Sequence, residues 1–280
     1  MTAAPADTAQ PSGPRAEARR PGFGALLLAE WTKIRTVQST LWSLALLVLL
    51  NLGFTGLLAA VFATQWDSMN ESDRAMIGED PAGFFLGAGL SYSQLTVCVL
   101  GVLLIASEYS TGMIRSSLLA VPARLPMLWA KALVFAAIVL VLGVAVSFGS
   151  FFLGAGILGD RLPVGLGDPG VLRAVFGGGL YLAMLGLFSL AIGAIVRHTA
   201  GAITGVIGLV LVLSPLASLL PGRVGEYVNG YLPSTAGMLI TAAQPADDGV
   251  LGPWSGYGVF ALWTAVLLGA AAYLLKRRDA

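Results

Sequence analysis

Residues 89–131 read GLSYSQLTVCVLGVLLIASEYSTGMIRSSLLAVPARLPMLWAK. One apolar run ends at Ala106. A second follows Lys131 and continues as ALVFAAIVLVLGVAVSFGSFFLGAGIL to Leu158. Between them stand one glutamate, two prolines, two arginines and a lysine. A helix needs about 20 apolar residues to cross a hydrocarbon layer of ~30 Å, and both flanks reach that length. Neither flank alternates with the period of two that marks a membrane barrel strand. The stretch therefore predicts two spanning helices joined by a polar segment.

The same reading extends outward to six spans, at about 41–63, 84–106, 130–157, 172–196, 200–220 and 256–275. Composition agrees. Hydrophobic residues make up 56% of the 280 and charged residues 11%, against about 25% charged in soluble domains. Too few charges are present to cover a soluble surface, so lipid is the expected solvent. The net charge of +1 gives no reason to expect a nucleic-acid partner. Residues 1–22 are rich in Pro, Ala and polar side chains and read as a disordered tail, with 23–280 as one membrane domain. Arg19-Arg20 precede only a short apolar piece that runs into Glu30, so a cleaved signal is not expected.

Six spans put both termini on one side. That side holds Arg15, Arg19, Arg20, Lys33, Arg35, Arg115, Arg124, Lys131, Arg197, Lys276, Arg277 and Arg278; the other holds Arg74, Arg161, Arg173 and Arg223. The acids of the connecting segments, such as Asp67, Glu71, Asp160 and Asp247, fall mostly on the second side. By the positive-inside rule the termini and the 107–131 segment are cytoplasmic.

The polar segments carry patterns of their own. In 23–36, Phe23, Leu26, Leu27, Trp31 and Ile34 share a helical face, and Glu30, Lys33 and Arg35 lie elsewhere. This predicts an interfacial amphipathic helix with its apolar face in lipid. Trp31, Lys33, Arg35, Lys131, Lys276, Arg277 and Arg278 are expected as membrane-edge anchors, the lysine stems snorkelling to the headgroups. In 108–121, Tyr109, Met113, Ile114, Ser117, Leu118 and Val121 recur at helical spacing and Pro122 ends the pattern. A short cytoplasmic helix along the membrane follows. Residues 221–255 contain the semi-apolar YLPSTAGMLITAA, too short to span and expected as an outer re-entrant or interfacial segment. Asn70-Glu71-Ser72 matches a glycosylation acceptor, a pattern common by chance.

Catalytic patterns are missing from the sequence. There is no GxxxxGK[ST] phosphate loop, no HExxH and no G-x-S-x-G elbow. One cysteine, Cys98, and one histidine, His198, leave no metal or disulfide framework. Mid-span acids and bases, the usual proton relays, are scarce. Asn51 is expected to find a polar partner across a helix interface, and Pro215 to kink the fifth span. Gly83 with Gly87, and Gly201 with Gly205 and Gly208, are spaced for close helix approach.

These motifs together resemble the permease subunits of type-2 ABC transporters. The resemblance runs from residue 23 to nearly the end of the chain. It rests on GALLLAEWTKIRT before the first span, on YLPSTAGMLI before the last, and on the order Glu108, Gly112, Ile114-Arg115, Leu118-Leu119, Pro122, Arg124 and Lys131. Many members carry Thr after the glycine, where this chain has Met113. The implied fold is an all-α membrane protein: six transmembrane helices, an N-terminal interfacial helix, a cytoplasmic coupling helix between spans 2 and 3, and an outer re-entrant segment between spans 5 and 6. The implied function is export across the bacterial cell membrane of a drug-like, peptide or lipid-like compound. The implied partners are two ATP-binding subunits carrying ATP-Mg, with no cofactor on this chain, and a second permease as homodimer or heterodimer. The implied coupling residues are Glu108, Tyr109, Gly112, Met113, Ile114, Arg115, Leu118 and Pro122. Two readings without an ATPase stay open beside it: a secondary carrier or channel, and a membrane assembly protein that transports nothing.

Overall fold

The computed structural model describes residues 22–110, 124–245 and 249–277. Among them every regular element is helical. Helix α1 (Phe23–Thr36) ends at Val37, whose extended backbone turns the chain into α2 (Gln38–Gln65). A 3₁₀ turn at Trp66–Ser68 leads to α3 (Glu71–Glu79), then α4 (Pro81–Ser110), α5 (Arg124–Leu158) and α6 (Val171–Val196). The next span is α7 (Thr199–Ile207), a π turn at Gly208–Val212 and α8 (Leu213–Ser218). Short helices α9 (Gly222–Gly230) and α10 (Pro233–Met238) precede α11 (Pro253–Arg277).

Six stretches are long and apolar enough to cross a membrane: Gln38–Ser68, Pro81–Tyr109, Leu125–Leu158, Val171–Val196, Thr199–Ser218 and Pro253–Arg277. They mark a multi-pass membrane protein and coincide with the six apolar runs of the sequence. In lipid each backbone amide must be satisfied within its own helix, which is why continuous apolar runs fold this way.

Burial ranks the spans. The most apolar window of α6 is 72% buried and that of α4 61%, against 22% for both α2 and the fifth span. So α6 is the hub, and the poorly buried spans carry the outward surface. Small residues explain the order. A Cβ on Gly143 of α5 would come within 2.9 Å of Gly179 Cα on α6. One on Gly101 of α4 would meet the Gly186 carbonyl at 2.7 Å. Among the described residues, the glycine pairs picked out in the sequence bring no other helix into such close approach. A Cβ on Gly87, Gly205 or Gly208 would meet nothing within 4 Å, and one on Gly83 would meet the Asp80 side chain.

Asn51 does find its partners. Its amide donates to Ser93 Oγ on α4 at 3.0 Å, and its carbonyl accepts from Ser150 Oγ on α5 at 2.6 Å. Thr55 adds a hydrogen bond to Ser150 Oγ at 3.0 Å. Pro215 acts upstream of itself. Proline has no N–H for the carbonyl four residues back, and the helix answers with the π turn that ends three residues before it, at Val212.

The segment before α11 is a compact hairpin rather than a loose loop. Pro233, Ser234, Ala236, Gly237, Ile240 and Thr241 are buried. Its end is pinned by two charged side chains. Arg173 donates to the carbonyls of Ala242 and Ala243, both at 3.1 Å, and Asp80 accepts from the Ala243 N–H at 2.9 Å. At α3 the Asn70 side chain caps the helix by accepting from Asp73 N at 2.8 Å, with Glu71 and Asp73 in the first turn.

Candidate functional site

Four charges converge where α1 crosses the ends of α4 and α5. Glu30 and Lys33 stand one turn apart on α1, Glu108 near the end of α4, and Lys131 in the second turn of α5. Lys131 Nζ lies 2.6 Å from Glu30 Oε2 and 2.9 Å from Glu108 Oε1. Lys33 bonds the same Glu108 oxygen and lies 3.4 Å from Glu30 Oε1. Glu30 is 6% exposed, Glu108 3% and Lys131 0%. Two acids and two bases therefore form a closed, neutral lattice almost out of water.

Neutrality is what makes the burial tolerable. Removing an ion from water costs several kcal/mol, roughly, and only close, hydrogen-bonded pairing offsets it. The pKa of Lys33, the most exposed member, moves accordingly. Burial works to lower it, but the hydrogen bond and charge of Glu108, with Glu30 behind them, outweigh that and raise it above the usual lysine value. One acceptor is left over: Glu108 Oε2 has no hydrogen-bond partner among the described residues.

This geometry revises two sequence expectations. Lys131 is no snorkelling anchor, because its ammonium is sealed among carboxylates. Glu30 does not lie on an outward polar face of α1; together with Ile34 it forms the buried face. The helix turns inward because partners of opposite charge wait on α4 and α5. Trp31 is half-exposed and lines an apolar groove with Leu27, Leu44, Val48 and Val141. Arg35, Lys276 and Arg277 are exposed, the last with its guanidinium 4.8 Å from the Tyr273 ring. Tyr109 packs against the core and holds the Arg197 guanidinium 4.9 Å over its ring. Gly112, Met113, Ile114, Arg115, Leu118, Pro122 and Arg278 lie outside the described residues. Among the described residues, the coupling set reaches the lattice through Glu108, with Tyr109 beside it.

A mainly apolar recess of about 450 Å³, with a few polar side chains in its wall, lies toward the opposite end. The π turn and α8 form one wall, α10 another and Gln94 of α4 the back. Gln94 Oε1 accepts from Tyr181 at 2.6 Å. Ser214 shares a hydrogen bond with Thr235, which donates to Asn229 at 3.2 Å. Nothing in periodicity foretold this recess, since its residues come from two separate spans and the hairpin. Among the described residues no cluster of His, Cys, Asp and Glu could hold a metal ion. No protein-family model matches the chain, and no curated protein matches it.

Proposed function

We propose that the chain is the membrane-spanning subunit of an ATP-driven exporter, worked by a separate ATP-binding subunit. It lies in the cell membrane with both termini in the cytoplasm, as the twelve-to-four split of Lys and Arg favours. The 108–122 segment meets the ATPase, with Tyr109, Met113, Ile114 and Leu118 as apolar contacts and Arg115 at the rim. The observation that carries this reading is the lattice. Glu108 opens the segment, Lys131 follows it, and both are tied to α1. A push on the segment would therefore reach three helices at once. The recess at Gln94, Ser214 and Thr235 is the part of the pathway wall on this chain. A second permease subunit completes the pathway, and the cargo is drug-like, peptide or lipid-like.

Co-expression with an ATP-binding subunit tests the reading. The tagged chain should carry that subunit through purification, and membrane vesicles should accumulate cargo only with ATP. Arg115→Glu combined with Leu118→Asp should abolish both while the chain still inserts. Intact co-purification and transport in that variant would remove the coupling assignment.

A further inference from the structure

Helix α6 passes into α7 through two residues, Arg197 and His198. Hydrogen bonds fix both. The Arg197 N–H donates to the Gly193 carbonyl at 3.0 Å, and His198 caps α7, its Nδ1 accepting from Gly201 N at 3.1 Å. Arg197 holds φ at 57°, and among the described residues it is the one non-glycine with a positive φ. A helix that ends in this left-handed conformation usually ends in glycine, which has no Cβ to strain. An arginine here strains its own backbone, and such an outlier points to a task for the side chain.

That side chain reaches α4. Its guanidinium lies 4.9 Å from the centroid of the Tyr109 ring, within cation–π range. Tyr109 directly follows Glu108, which is bonded to Lys33 and Lys131. It also packs against the core that Ala202 and Val206 of α7 enter. The fifth span is otherwise thinly held. Its most apolar window is 22% buried, and a π turn interrupts it at Gly208–Val212.

We propose that Arg197 is a latch. Its stacking on Tyr109 ties the start of the fifth span to the end of α4, so that a shift of the 108–122 segment moves that span. The latch stands on geometry alone; the force it carries rests on the coupling reading above.

Hydrogen–deuterium exchange on the full chain in detergent tests the latch at the amides of residues 202–207. Arg197→Asn keeps a residue that tolerates the left-handed turn and removes the guanidinium. Exchange there should rise about tenfold, the scale of a partly desolvated cation–π contact. Tyr109→Leu should raise it similarly, and the two together should add nothing further, as expected of one shared contact. No rise in either variant, or rises that add in full, overturns the latch. The complex with an ATP-binding subunit tests the transmission. Arg197→Asn should keep co-purification and ATP hydrolysis while cargo accumulation falls about tenfold. Faster exchange with undiminished accumulation overturns the transmission. Should the unaltered complex accumulate no cargo with ATP, the coupling reading fails, and the exchange result still decides the latch.

Discussion

Burying a lysine ammonium with no exposed surface is tolerable only while its carboxylates stay beside it. Lys131 answers to Glu30 and Glu108 together, so Lys131→Met should leave two buried acids with Lys33 alone. The expected loss is about 3–5 kcal/mol, read as a lower thermal midpoint in detergent. Adding Glu30→Gln should recover part of that loss, because one of the two stranded charges is gone. A double variant weaker than the single one would show that Lys131 acts through packing instead. Glu108 and Lys131 were conspicuous in the sequence as lone charges in apolar surroundings. Their pairing was not legible, and neither was the third member, 101 residues from Lys131. A helical wheel sorts α1 residues by polarity and assumes that polar faces look outward. It has no way to register that the neighbouring helices supply the opposite charge.

At the scale of elements, continuous apolar length was enough to locate all six spans. Length and hydropathy are properties of one segment at a time, and a hydrocarbon layer selects on both. Contacts between segments were harder to read. Among the described residues, Gly87, Gly205 and Gly208 face open space, while Gly143 and Gly179, separated by 36 positions, make the close crossing of α5 and α6. Gly143→Leu should therefore destabilise by about 1–3 kcal/mol, the usual range for overpacking. Gly87→Ala should be neutral or gain up to about 1 kcal/mol of helix propensity. Thermal unfolding of the two variants side by side checks the assignment; equal losses would contradict it. The π turn was hidden for a related reason. Proline announces that a hydrogen bond is missing, but not how the preceding backbone will absorb it.

At the scale of the whole molecule, the hairpin before α11 is held by Arg173 from α6 and Asp80 from the start of α4. Arg173→Gln should loosen it. A cysteine at Thr241, buried in the unaltered protein and placed in a Cys98→Ala background, should then react with a thiol reagent about tenfold faster, an opening free-energy change of ~1.4 kcal/mol. An unchanged rate would mean that packing against α6 and α11 suffices. The bonds joining Asn51, Ser93, Thr55 and Ser150 bear on motion as well. Sliding α2 by one turn, about 5.4 Å, would break them together and strand their polar atoms in hydrocarbon. Helices α2, α4 and α5 must then travel as a rigid block. Any change of shape falls to the flank outside it, where the fifth span is thinly packed and the π turn has already relaxed its backbone.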